Sequence, residues 1–265
     1  MDACCNPELD VSGTEEALSI AGSTYVRKRL KPDYGDDIYI INRDLLHAIK
    51  SILPVKAGKV LDYGAGGSPY ESLFCGKYDK ADIEKYQGVS IEIDKKGRLP
   101  AGVTDYDVVL SSQVLEHVSD PKVYLDECFR VLRPGGKLVL STHGVYEDHP
   151  CPDDLWRWTS AGLENLIHSV GFQITKSLKT TCGVRAVLFL WSQQTHRVPL
   201  KFPKNGSLKM VIIFASLKLL RFFVGTALNK FADLWLSREA VKESSDPSAR
   251  LYINIVVLAE KPFEA

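Results

Sequence analysis

The chain lacks a net charge. Lys+Arg and Asp+Glu stand at 33 each in 265 residues, so nothing pulls it globally toward nucleic acid. It lacks a metal-binding cysteine pattern. Cys4, Cys5, Cys75, Cys128, Cys151 and Cys182 form no CxxC and have no histidine at zinc spacing. Free thiols in a reducing compartment and no metal site are therefore expected. It lacks a leader-like start, because Met1-Asp2-Ala3-Cys4-Cys5 has neither a cationic n-region nor an apolar h-region; a cytoplasmic protein is expected. Internal repeats and low-complexity tracts are lacking too. One long segment lacks acid: from Arg197 to Ala232 the only charges are Arg197, Lys201, Lys204, Lys209, Lys218, Arg221 and Lys230. The start is the reverse, with Asp2, Glu8, Asp10, Glu15 and Glu16 before the first cation, Arg27.

What is present suffices for one sizeable core with an appendage, at 45% apolar and 25% charged residues. Residues 36–53 carry Ile41, Leu45, Leu46, Ile49 and Leu53 at helical spacing, and Pro54 stops the pattern. Residues 59–63 read as the first strand. Residues 86–93 alternate with Val89, Ile91 and Ile93 on one face and read as the second. Residues 106–112 form a buried strand. A helix over 120–132 follows, capped by Asp120 with Pro121 at its first position. Pro134-Gly135-Gly136 turns the chain into a strand over 137–142. Thr159 or Ser160 caps a helix to about Val170, ended by Gly171. Strands over 172–178 and 251–259 complete the pattern. Strands alternating with helices predict a parallel, doubly wound sheet.

The most informative stretch is Lys59-Val60-Leu61-Asp62-Tyr63-Gly64-Ala65-Gly66-Gly67, a short strand that ends in an acid and enters a glycine-rich turn. Such a turn lets backbone N–H groups approach a ligand closely. Downstream lie Ser111-Ser112-Gln113-Val114-Leu115-Glu116-His117-Val118, then Asp120-Pro121, then Leu132-Arg133-Pro134-Gly135-Gly136. With these motifs in this order, residues 55–180 resemble the class I S-adenosylmethionine-dependent methyltransferases. The branch resembled reads roughly hhDhGxGxG, then VLEHV, then LRPGG.

The resemblance implies a Rossmann-like α/β fold: a seven-stranded, mostly parallel sheet whose last strand is antiparallel. It implies S-adenosylmethionine as cofactor. Asp62, Tyr63, Gly64, Ala65 and Gly66 would shape the cofactor's amino-acid end, and Ser111, Ser112 and Gln113 would pass beside it. Lacking phosphate, this cofactor needs no lysine-bearing anion cradle, and none is present. Family members usually end the second strand in an acid that grips the ribose hydroxyls. With 86–93 as that strand, Ser90 stands in the acid's place, and Glu92, then Asp94, become the candidates. The run from Lys95 to Asp105 leaves little room for a third strand and an acid near adenine. A non-catalytic member built on the same fold is thus an alternative. A nicotinamide-binding oxidoreductase is disfavoured, because Pro69 stands where the third glycine of GxGxxG belongs.

His149-Pro150-Cys151-Pro152-Asp153-Asp154-Leu155-Trp156-Arg157-Trp158-Thr159 resembles the HPxPxDYWRFT-like stretch of a methyltransferase group often encoded beside surface-glycan genes. His149 and Asp154, with His143 behind them, are the candidate bases for a hydroxyl acceptor; His117 reads as structural. An alternative makes the stretch a packing loop, with both tryptophans buried and Arg157 paired to Asp154. The acceptor class stays open among glycan, lipid-linked sugar, small metabolite and protein, with nucleic acid disfavoured.

The expected organisation is an N-terminal tail and helical cap over 1–54, a methyltransferase core over 55–180, a basic, apolar helical insertion over 181–250, and a final strand and tail over 251–265. In the insertion, the longest charge-free stretches, Met210–Leu217 and Phe222–Asn229, fall short of the roughly 18–20 apolar residues of a membrane span. Gly225 is a potential helix breaker. Three readings of residues 197–236 are carried forward: packing as core or lid, a homo-oligomer interface, and peripheral attachment to the inner face of an anionic membrane.

Overall fold

Alternation along the central strands sets the architecture. Leu61, Val109, Leu138 and Leu140 point to one side of the sheet, and Val60, Val108, Leu110 and Val139 to the other. Both sets are buried, so both faces need a cover of helices. The computed structural model shows that arrangement. It describes residues 24–53, 58–83, 88–94, 96–197 and 208–263, with backbone only at 196–197 and 208–209. The acidic start, the stop at Pro54 and the link over 198–207 lie outside the described residues.

The strands are β1 (Lys59–Tyr63), β2 (Lys77–Asp82), β3 (Ile91–Glu92), β4 (Tyr106–Ser112), β5 (Leu132–His143), β6 (Gln173–Cys182), β7 (Val241–Glu243) and β8 (Tyr252–Glu260). They form one 8-stranded sheet in the order β3-β2-β1-β4-β5-β8-β6-β7. Strands β3, β2, β1, β4 and β5 pair in parallel. Strand β8 runs antiparallel between β5 and β6. This is the expected sheet with β7 added at its edge.

The helices are α1 over 24–30, α2 (Tyr39–Ile52), α3 (Pro121–Val131), α4 (Ser160–Ser169), α5 (Gly183–Arg197) and α6 (Leu208–Trp235). Helix α2 places Leu45, Ala48, Ile49 and Ile52 against the face that carries Val60 and Val108. Helices α3 and α4 place Tyr124, Leu125, Cys128, Leu163 and Ile167 against the other. The caps form as expected. Asp120 accepts from the Lys122 and Val123 N–H groups, and Thr159 accepts from that of Gly162. The Pro134-Gly135-Gly136 turn is a bulge in β5 between Leu132 and Lys137, which pair with Tyr106 and Val108.

The structure corrects four expectations. The second strand is β2, not 86–93; of that window only Ile91–Glu92 is strand, and 84–87 lie outside the described residues. The insertion is not wholly helical, since it ends in β7. Gly225 does not break α6, which runs unbroken for 28 residues. Gly225, Asn229 and Ala232 are its buried positions, so packing overrides the local propensity of glycine. Finally, Met210–Trp235 is long and apolar enough to cross a membrane by length and composition, despite its interspersed cations.

Candidate functional site

The carboxyl ends of the parallel strands gather on one edge of the sheet, and the order reverses between β1 and β4. Open α/β sheets bind ligands in the crevice at such a switch point. The turn after β1 lies there. Gly64 has φ +79 and Gly66 φ +48, both left-handed. A β-carbon at Gly64 would stand 2.7 Å from both Val114 methyls. The N–H groups of Gly64 and Ala65 donate to the Ala81 carbonyl at 2.9 and 3.0 Å, and that of Gly66 donates to Asp82 Oδ2 at 2.7 Å. Three successive N–H groups therefore fasten the turn to the end of β2, whereas the sequence reading aimed them at a ligand. Asp62 lies beneath the turn and accepts from the Tyr78 hydroxyl at 2.7 Å. Burial pushes its carboxyl up to about 7. Gly64→Ala is expected to lose about 1–2 kcal/mol from the left-handed backbone alone, and more from the overlap with Val114. A thermal melt and a cofactor titration would register the loss, and a variant as stable and as tight-binding as the parent would remove the case for a required glycine.

Asp82 is the residue that sequence reasoning missed. It ends β2, is 8% exposed, and lies beside the glycine turn. Glu92 pairs across from it on β3, one strand further out, where it is exposed. Asp94 is committed to its own turn, with Oδ1 accepting from the Lys96 and Arg98 N–H groups at 2.8 Å each. Neither Glu92 nor Asp94 ends the strand beside β1, and Ser90 replaces nothing. The missing acid and the missing third strand were both consequences of one misplaced strand.

The end of β4 is shared between core and site. Ser111 is buried, and the Tyr124 hydroxyl is 2.9 Å from both Ser111 Oγ and the Tyr63 carbonyl. The Tyr63 ring stacks on Tyr124 at 4.3 Å, so this side chain belongs to the core and only its backbone borders the turn. Ser112 Oγ lies 3.1 Å from Ser141 Oγ. Gln113, at φ 57, donates from Nε2 to Ser141 Oγ at 3.0 Å. Its Oε1 is buried and accepts from no donor among the described residues. Beside it, Tyr25 of α1 packs on Gly67, where a β-carbon would stand 2.8 Å from its ring.

The segment after β5 closes over the same edge. The Leu155 and Trp156 N–H groups donate to the Glu116 carbonyl at 2.8 and 3.2 Å, and that of Trp158 donates to the His143 carbonyl at 3.0 Å. Arg157 grips Asp154 with both terminal nitrogens, at 2.6 and 2.5 Å. Burial would raise the Asp154 carboxyl, but the Arg157 fork and the His149 N–H outweigh it and hold the group well below the usual carboxylate range. Asp154 is thus a fixed anion and cannot take up a proton near neutrality, which corrects its candidacy as a base. His149 Nδ1 faces two acceptors, the Glu147 carbonyl at 3.2 Å and Asp154 Oδ2 at 3.3 Å. His143 lies 4.9 Å behind it between ring centres and stacks on Tyr146 at 4.2 Å. Burial pushes the imidazole of His143 well down and keeps it neutral. Its Nε2 is 3.3 Å from Glu116 Oε1, whose carboxyl burial pushes up. That buried position makes His143 a supporting group, not the base. His117 is structural as expected, with Nδ1 2.6 Å from the Asp153 carbonyl. The packing-loop reading holds for Trp158 and for the Arg157–Asp154 pair, while Trp156 is exposed.

A methyltransferase-domain family model matches residues 39–177. The chain belongs to that family. An O-methyltransferase of Penicillium expansum, cnsE, is 28% identical over 152 residues, covering 46% of this chain and 54% of that protein. A ubiquinone biosynthesis O-methyltransferase of Psychrobacter cryohalolentis is 37% identical over 82 residues, covering 31% of this chain and 30% of that protein. The chain thus spans about half the length, or less, of the curated relatives it matches. Among solved structures, a Burkholderia thailandensis 1,6-didemethyltoxoflavin-N1-methyltransferase superposes with TM-score 0.48 at 15% identity, covering 95% of this chain and 91% of that one.

The methyl donor of this family is S-adenosylmethionine, and the residues at the strand ends of this chain fit it. The glycine turn after β1 is left-handed, a carboxylate ends β2, and the buried Gln113 Oε1 accepts from no donor among the described residues. An ammonium and a ribose diol supply such donors.

Proposed function

We propose that this chain methylates a hydroxyl oxygen on a glycan or lipid-linked sugar. When bound, S-adenosylmethionine supplies an electrophilic methyl carbon on a sulfonium. Asp82, with its two oxygens, accepts from the ribose hydroxyls in the role first sought in Glu92. Gln113 Oε1 and the turn at Gly64–Gly66 border the amino-acid end.

The observation that carries the acceptor reading is the His149–Asp154–Arg157 constellation. With the two acceptors at its Nδ1, the neutral imidazole keeps that proton, and Nε2 carries the lone pair. With the bound cofactor supplying the methyl group, His149 Nε2 would take the proton that the acceptor hydroxyl loses. Asp154 orients the ring and stabilises the imidazolium without titrating. The exposed Trp156 is an aromatic surface of the kind that packs on a sugar ring. The relatives named O-methyltransferases support oxygen over nitrogen. The scaffold alternative rested on Ser90 in place of an acid and on the short run from Lys95 to Asp105; the methyltransferase reading uses Asp82 at the end of β2 as the acid instead.

The test is calorimetric titration with S-adenosylmethionine and S-adenosylhomocysteine, followed by transfer of a labelled methyl to hydroxyl- and amine-bearing acceptors. Asp82→Ala should weaken binding at least tenfold, since hydrogen bonds to a charged group contribute roughly 1.5–3 kcal/mol each. Glu92→Ala should leave it within about twofold. Equal losses in both variants would return the ribose to β3. Transfer only to amines would overturn the oxygen reading.

A further inference from the structure

We infer that the first half of α6 inserts into an anionic lipid bilayer and holds the catalytic unit against it. This is independent of the proposed acceptor. The two halves of α6 differ. From Phe222, whose ring lies on Gly35, the helix is tied to the body. Asn229 Nδ2 donates to the Tyr34 and Asp36 carbonyls at 2.8 and 3.2 Å, Ala232 is buried, and Asp233 pairs with Arg43 and Arg185. Before Phe222 the apolar residues face outward except Phe214, which is half-buried. Val211, Ile212, Ile213, Leu217, Leu219 and Leu220 are all exposed, Leu219 and Leu220 each at 59%.

The occupant follows from how these residues are arranged. Consecutive helical positions lie about 100° apart, so Val211, Ile212, Ile213, Leu217, Leu219 and Leu220 spread over an arc of about 240°, with Lys218 and Arg221 on the remainder. A wide exposed apolar arc with cations beside it suits the boundary between acyl chains and anionic headgroups. So wide an apolar arc belongs in a core or against a membrane, and only 6% of the helix's apolar 18-residue window is buried in this fold. The charges agree. Arg197 through Ala232 hold cations and no acid, which complements anionic headgroups. Lys218 and Arg221 have stems long enough to carry their charges to the headgroup level. Residues 210–221 rise only about 18 Å, against a hydrocarbon core of roughly 30 Å, so this half enters the bilayer without crossing it.

Flotation of the full chain with phosphatidylcholine vesicles, with and without phosphatidylglycerol, tests this. The chain should float with the anionic vesicles, and a triple variant, Ile213→Glu, Leu219→Glu and Leu220→Glu, should lose at least tenfold in the bound fraction. Lys218→Glu with Arg221→Glu should lose the preference for phosphatidylglycerol. None of these positions is among the residues placed at the cofactor crevice, so S-adenosylmethionine titrations should be unchanged in both variants; that separates failure of this inference from failure of the methyltransferase reading. Three outcomes would overturn it: no flotation with either vesicle, flotation unaffected by the triple variant, or a soluble dimer that the triple variant dissociates while vesicles leave it unbound.

Discussion

Replacing Asp44 by alanine should destabilise the fold by about 3–5 kcal/mol, the cost of breaking a buried ion pair by removing one partner. Asp44 of α2 and Arg185 of α5 are both fully buried, and two 2.7 Å hydrogen bonds join them. Thr181 Oγ1 donates to the same carboxylate at 2.9 Å. Arg185 also reaches Asp233 of α6 at 3.0 Å, and Asp233 in turn accepts from the Tyr39 hydroxyl at 2.5 Å. One network thus fastens both helices of the insertion to α2. Without Asp44, the guanidinium keeps a single carboxylate and loses the rest of its compensation. The melting temperature should fall by roughly 6–20 °C for a chain of this size. Asp44→Leu combined with Arg185→Met should recover most of the loss, because an apolar replacement of both partners leaves no charge unpaired. A single variant that melts with the parent would show that this network does not hold the insertion.

The parts of the fold that were legible in the sequence are those where one local rule dominates. Asp120-Pro121 capped a helix because a carboxylate and a proline both suit that position. Strands β1 and β4 showed as apolar runs because both their faces are buried. Strand β2 escaped because Lys77, Asp79 and Lys80 interrupt its pattern. Their charges find partners that the pattern does not show: Lys77 pairs with Asp79 at 3.3 Å, Lys80 pairs with Glu71 at 2.8 Å, and Asp79 accepts from the Tyr106 hydroxyl at 2.8 Å. The cleaner alternation at Val89, Ile91 and Ile93 drew the strand assignment downstream, and the candidate acid at its end moved with it. The continuity of α6 through Gly225 was hidden for a related reason, since the surface it packs on comes from residues 34–36, far away in sequence.

His149→Ala should lower methyl transfer by about 10²–10⁴-fold, the usual contribution of a positioned proton acceptor, with S-adenosylmethionine affinity unchanged. The separation of the two effects is the informative part. His149 belongs to the segment after β5, whereas the cofactor crevice is built from the ends of β1, β2 and β4. Asp154→Asn should cost less than His149→Ala but more than a surface change. The amide keeps an oxygen toward the ring but loses the anion, and its NH2 group would face the Arg157 fork, which can only donate. Single-turnover rates with any acceptor found by the methyl-transfer screen would read both variants. If His149→Ala transferred methyl at the parent rate, the acceptor would lose its proton to water, and the constellation would be left as a brace for the segment over the sheet edge. A loss confined to KM for the acceptor would instead place His149 in recognition of the hydroxyl and not in its deprotonation.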